Sequence, residues 1–215
     1  MLLDLKNVQI SLKEGPLFQP LDITIRPGEV ATVMGPSGCG KSTLLSAICG
    51  NLSESFTLEG DILLDGTSIL DIPMEKRQIG LLFQDDLLFP HLDIAGNLAF
   101  GLPRDTPKPE RKDRIANALK RAGLEGFQRR DPATLSGGQR ARVSLLRSLL
   151  AEPKALLLDE PFSKLDQQLK GQIREFVFEQ VASMNIPTLL VTHDRKDCPN
   201  GQLIDLTMNG ENHAG

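Results

Sequence analysis

The stretch Gly35-Pro36-Ser37-Gly38-Cys39-Gly40-Lys41-Ser42-Thr43 constrains this chain more than any other. An apolar run, Val30-Ala31-Thr32-Val33-Met34, precedes it, and Leu44-Leu45-Ser46-Ala47-Ile48 follows with the character of a helix. A strand, a glycine-rich turn and a helix start carrying Gly-x4-Gly-Lys-Ser make a phosphate-binding loop in its expected setting. The glycines let successive backbone N–H groups face phosphate oxygens, and the helix dipole adds partial positive charge there. Lys41 is expected at the β- and γ-phosphates, and the Ser42 hydroxyl at Mg²⁺. The loop therefore predicts a nucleoside-triphosphate site.

Composition sets outer limits. A chain of 215 residues can form one large domain, or a core with a sub-domain. A formal charge of −4 gives no global case for a nucleic-acid partner. No apolar run approaches the ~18 residues of a membrane span, and the first residues, Met1 to Asn7, lack a signal-peptide pattern. A soluble, cytosolic chain is the expectation. The three cysteines, Cys39, Cys49 and Cys198, do not read as a disulfide framework. Cys39 has two readings: a thiol activated by Lys41 and the helix start, or a small residue that fits a tight loop.

Residues 2–10 alternate between apolar and polar and predict a half-buried strand. A turn at Glu14-Gly15-Pro16 leads to a second strand over 18–25, and Arg26-Pro27-Gly28-Glu29 turns again. Together they predict an antiparallel sheet beside the nucleotide core, with a further strand over 60–66. The short run Ile79-Gly80-Leu81-Leu82-Phe83 predicts a buried parallel strand. Gln84 ends it, at the sheet edge where open α/β folds place ligands. From 85 to 134 the character changes to a stretch punctuated by Pro and Gly, then a helix over 110–122 with Pro109 at its start and Gly123 at its end. The basic residues between Arg104 and Arg130 read as a solvated face, with contact at a membrane surface as the second option.

Leu135-Ser136-Gly137-Gly138-Gln139 opens a helix over 139–151, with Val143, Leu146 and Leu150 on its apolar face. Ser136 can cap it, while Gly137 and Gly138 leave the approach to its N–H groups open. Alone this is an ordinary cap; beside a phosphate loop it is a second ready-made anion site. Ala155-Leu156-Leu157-Leu158 is an apolar strand ending in Asp159 and Glu160. Acids at that point call for a metal or a reaction. Asp159 fits a Mg²⁺-holding role and Glu160 a base that polarises water. A helix over 167–184 follows, then the strand Thr188-Leu189-Leu190-Val191-Thr192, which delivers His193 to the same edge as Gln84 and Asp159.

In order and spacing, this set resembles the ATP-binding cassette ATPases over essentially the whole chain, with Leu-Ser-Gly-Gly-Gln as that family's signature. The resemblance implies a P-loop core with a mostly parallel sheet, an N-terminal antiparallel β sub-domain, and a helical sub-domain over 85–134 that receives an integral-membrane permease. It implies a head-to-tail homodimer in which residues 35–43 hold one subunit's ATP and Ser136, Gly137, Gly138 and Gln139 face the partner's. Gln84 would link the permease-docking sub-domain to the γ-phosphate and join Ser42 and Asp159 at Mg²⁺. Asp166 would lie at the dimer interface, and Glu160-driven hydrolysis would reopen it. Within the family the loop sequences are similar to importers of small polar solutes, and to the YnjD-like subunits among them. A periplasmic solute-binding protein and a peripheral place on the cytoplasmic face of the inner membrane are then implied. The other uses of a same-size cassette are an exporter, a cell-division complex or a soluble ATPase.

Three positions depart from the family pattern. Leu12 stands where an aromatic residue usually stacks on adenine, which removes the stacking contribution. Lys164 replaces a small residue within 163–166. After His193 the usual Ala-rich helix gives way to Lys196-Asp197-Cys198-Pro199-Asn200-Gly201, which predicts a short turn. The chain also stops near residue 210, where several importer ATPases carry a further regulatory domain.

Overall fold

Strand direction divides the sheets. The computed structural model describes residues 1–199 and 201–206. In the antiparallel sheet β1 (Leu3–Leu12) pairs with β2 (Gly15–Pro16), β3 (Leu21–Ile25) and β5 (Thr57–Leu64), and β6 (Thr67–Ser68) extends β5. The second sheet is parallel throughout, in the order β10 (Leu203–Asp205), β4 (Val30–Met34), β9 (Thr188–Thr192), β8 (Ala155–Asp159) and β7 (Ile79–Leu82). The helices are α1 (Lys41–Cys49), α2 (Ile94–Ala99), α3 (Lys108–Arg121), α4 (Gly137–Leu150) and α5 (Gln167–Met184).

The central strands of the parallel sheet are covered on both faces, which is why β8 and β9 read as unbroken apolar runs. Alternate residues serve different cores. Ala155, Leu157, Leu189 and Val191 pack with α1 and the antiparallel sheet through Leu3, Leu5, Ile10, Leu44 and Ile48. Leu156, Leu158 and Leu190 pack instead with α2, α3, α4 and α5, through residues such as Leu98, Leu119, Leu146 and Val177. Ala155, Leu156, Leu157 and Leu158 are all fully buried, so the strand is rigid on both sides up to the carboxylates it presents.

Several element boundaries differ from the sequence reading. The strand expected over 18–25 is regular only from Leu21, because Pro20 has no N–H to give to a ladder. Phe18 is nonetheless fully buried. The strand expected from 60 begins at Thr57, pairing with Ser11 across a bulge between Lys6 and Gln9. β7 ends at Leu82 and is an edge strand, and Phe83, expected inside it, is exposed. α3 starts at Lys108, with Pro109 in its first turn. Helix α4 starts two residues earlier than expected, so Gly137 and Gly138 belong to its first turn and do not precede it. Strand β8 ends at Asp159, one residue before Glu160. The turn expected after His193 is a 3₁₀ turn, Arg195–Asp197, while Asn200 and residues 207–215 lie outside the described residues. Three short strands, β2, β6 and β10, and the helix α2 were not expected at all. Each has too few residues to build a periodic pattern.

Candidate functional site

The parallel register brings the expected residues to one edge. Met34 lies opposite Thr192, Asp159 opposite Val191, and Leu82 opposite Leu158. Gly35, His193, Glu160 and Gln84 therefore leave the sheet within two residues of those pairs, at the C-terminal ends of neighbouring strands. That edge is where an open α/β sheet forms a crevice.

The loop after β4 runs into α1 through Gly40, whose φ of 98° marks the helix N-cap. No side chain caps α1, so its first N–H groups are free of any capping acceptor. Lys41 is buried, and its Nζ donates to the carbonyls of Gly35 at 2.8 Å and Pro36 at 2.9 Å. The ammonium thus closes the loop on itself. Cys39 is 1% exposed, against the face of Gly35, which supports the packing reading over the reactive-thiol one. The far end of α1 is held by Arg77, which sequence reasoning did not single out. Its guanidinium donates to Ala47 O at 2.9 Å and Ile48 O at 3.0 Å, and also to Leu70 O and Ile72 O. A cation on those carbonyls complements the helix dipole and fixes the axis along which the loop is aimed. Nothing in the sequence around Arg77 announces this, since its partners on α1 are backbone atoms about 30 residues away.

Across the edge, Ser42 Oγ donates to Asp159 Oδ1 at 3.4 Å. Burial pushes the Asp159 carboxyl above its ordinary range; the Ser42 hydrogen bond opposes this, Glu160 adds to it, and Lys41 opposes it. Among the described residues, no three His, Cys, Asp or Glu side chains converge as a metal cage. A hydroxyl and one half-buried carboxylate suit Mg²⁺, which keeps its waters and takes phosphate oxygens as ligands. Those two residues fit the ion.

Glu160 has φ of 45°, a left-handed backbone that is costly for a residue with a side chain. Three bonds hold it there: its N–H donates to Val191 O at 2.9 Å, and its carbonyl accepts from Ser163 N at 3.1 Å and Ser163 Oγ at 2.9 Å. Its Oε2 lies 3.1 Å from His193 Nδ1. The pair joins the ends of two adjacent strands. Gln84 is exposed and lines a cleft with Asp85, Asp86, Gly137, Arg140 and Lys164. Lys164 pairs there with Asp85 of its own subunit. Leu12 is half-buried opposite Gly15, and the atoms nearest the Gly40 position belong to Leu17 and Phe18.

The start of α4 is built differently. Ser136 Oγ accepts from Gln139 N at 3.4 Å, and Gln139 Oε1 accepts from Ser136 N at 3.0 Å, a capping box. A side chain at Gly138 would meet Leu169 of α5 at 2.6 Å, whereas one at Gly137 would meet Leu165 at 3.8 Å and Arg140 at 3.9 Å, both at ordinary contact distance. Gly138 allows the helices to pack; Gly137 stays accessible. Arg140 continues the turn, with Nε 3.2 Å from Asp86 Oδ2. Asp166 caps α5 by accepting from Leu169 N at 3.0 Å.

Known proteins share this architecture. Residues 18–163 match the family described as ABC transporter. The chain is 47% identical over 213 residues to an uncharacterized ABC transporter ATP-binding protein, YnjD, of Escherichia coli, covering 99% of this chain and 98% of that one. It is 39% identical over 197 residues to the spermidine/putrescine import ATP-binding protein PotA of Mesoplasma florum, covering 91% of this chain and 55% of that one. It is 39% identical over 194 residues to the Fe(3+) ions import ATP-binding protein FbpC of Mannheimia succiniciproducens, covering 90% and 54%. The chain thus spans about half the length of those two importer proteins. The solved structure of cbiO1 from Clostridium perfringens, part of the ABC transporter complex cbiONQ, superposes with a TM-score of 0.82 at 30% identity, over 96% of this chain and 86% of that one. With a family match across most of its length and a near end-to-end relative, this chain belongs to the ABC transporter ATP-binding proteins and is an ATPase.

Proposed function

We propose that this chain is the ATP-hydrolysing subunit of a solute importer, working through a separate integral-membrane permease and a periplasmic solute-binding protein. Among the described residues no helix is long and apolar enough to cross a membrane, in keeping with a peripheral subunit on the cytoplasmic side. The import assignment is supported by relatives named as import ATP-binding proteins. In this reading residues 85–134 form the sub-domain that meets the permease.

The observation that carries the proposal is the Glu160–His193 contact beside the Ser42–Asp159 contact. The triphosphate lies along residues 35–43, with Lys41 leaving its loop carbonyls for the β- and γ-phosphates. Ser42 and Asp159, with Gln84, would hold Mg²⁺, which would neutralise phosphate charge when bound. With Glu160 ionised, His193 Nδ1 donates to Oε2 and fixes the carboxylate's direction. Oε1 is left to take a proton from water as its oxygen attacks the γ-phosphorus and the bond to the β-phosphate breaks. Two subunits pair head to tail so that Ser136, Gly137, Gly138 and Gln139 meet the partner's ATP, with Asp166 in the interface. Hydrolysis reopens the pair.

Glu160→Gln keeps the shape and removes the base. Turnover should fall by about 1,000-fold, and ATP with Mg²⁺ should trap a dimer visible by size-exclusion chromatography with light scattering. Near-normal hydrolysis by the variant would remove Glu160 from the base role.

A further inference from the structure

The turn after His193 is built unlike its neighbours at the sheet edge. His193 is more than half exposed, and its ring has Glu160 as its hydrogen-bond partner. An exposed imidazole with one partner takes its direction from its backbone. On either side of it that backbone is clamped. Thr192, the last residue of β9, is buried; its hydroxyl accepts from Asp194 N at 3.1 Å and donates to Asp197 Oδ2 at 3.2 Å. Asp194 Oδ1 accepts from Lys196 N at 3.0 Å, closing the 3₁₀ turn, and Oδ2 lies 3.6 Å from Lys170 Nζ.

Asp197 is the unusual member. Its side chain is 4% exposed, yet it sits in a turn only four residues past an exposed histidine. Arg174 of α5 reaches it from the other side, at 3.8 Å from Oδ1, and donates to the Lys196 carbonyl as well. Oδ1 has no hydrogen-bond donor. Burial, with the Asp194 charge next in weight, pushes the carboxyl above its ordinary range, against the opposing effects of Lys170, Thr192 and Arg174. A carboxylate in such a place is an inefficient source of stability. Its position fits another use: it ties the end of β9 to α5 across the turn that carries His193.

We infer that Asp197 is a positioning residue, whose buried carboxylate, held between Thr192 and Arg174, sets the turn that presents His193 to Glu160. The inference rests on the reading of Glu160 and His193 as the hydrolytic pair.

The test is a double-mutant cycle in the full chain, measuring steady-state ATPase with Asp197→Ala, His193→Ala and both. Asp197→Ala should lower kcat about tenfold with KM for ATP within about twofold, the signature of a misplaced group and not of lost binding. In the His193→Ala background the same change should cost nothing further, because it acts through the ring that is gone. Arg174→Ala, at a partly exposed position, should lower kcat about threefold with the same lack of additivity; it covers the case in which Asp197→Ala fails to fold. A fall of equal size in both backgrounds would make Asp197 merely structural and overturn the inference. So would wild-type kcat in Asp197→Ala when His193→Ala is inactive, which leaves the hydrolytic pair standing. Full turnover by His193→Ala would remove the pair and the inference together.

Discussion

Helices α1 and α4 both begin beside glycines, yet their first turns satisfy their N–H groups in opposite ways. At α1 the cap is Gly40, no side chain accepts from the helix, and the nearest cation, Lys41, is turned onto its own loop. At α4 a serine and a glutamine close a capping box, and Gly137 and Gly138 lie inside the helix. An uncapped turn is preorganised for an anion supplied from outside. A capping box occupies two of the donors at a helix start, here Ser136 N and Gln139 N, and leaves the others. The first can bind phosphate as a property of the single chain, whereas the second gains from an anion only if a partner brings it close. That difference supports the proposal that the chain binds ATP alone and completes its site on pairing.

Substitutions can break the comparison. Gly40→Ala places a side chain at a φ of 98° and 3.1 Å from Leu17 and Phe18 atoms. ATP affinity should fall about 100-fold, from roughly 2–3 kcal/mol of backbone strain, read by titration with a fluorescent ATP analogue. Unchanged affinity would show that this helix start is not the phosphate site. Gly137→Ala is the counterpart at α4, where the added carbon meets Leu165 and Arg140 at van der Waals distance. The fold and nucleotide binding by the isolated subunit should survive, while turnover falls about tenfold as one donor turn is obstructed. Full turnover would mean that the α4 start serves the fold alone. The smallest effect belongs to Ser136→Ala. Losing the cap costs about 1 kcal/mol and lowers the nucleotide-free Tm by about 2–4 °C, measured by thermal denaturation. An unchanged Tm would show the capping box to be idle.

Legibility followed length and repetition. The fully buried β8 and β9 and the long α5 were readable because each repeats one environment over several residues. Phe83 was misread because an edge strand has only one neighbour, and a five-residue apolar run does not record which strand is outermost. β10 was missed at three residues. In the site, Lys41 and Ser42 were legible from the glycine-loop motif at the start of α1, Asp159 and Glu160 from the apolar strand they follow, and His193 mainly from the family resemblance. Arg77 and Asp197 were not, because their partners are backbone carbonyls or side chains of other elements.

By itself the sequence determined the glycine loop ahead of α1, the apolar strands that end at Asp159 and ahead of His193, and a helix close to Gly137 and Gly138. These are encoded by contiguous residues, and short-range sterics and periodicity suffice to read them. Only the tertiary structure decided that Lys41 bends onto Gly35 and Pro36, that Arg77 anchors α1, that Lys164 pairs with Asp85, and that Asp197 is buried beneath the His193 turn. Each of those depends on burial and on a partner distant in sequence, and the free energy of a charge is set by what surrounds it in space.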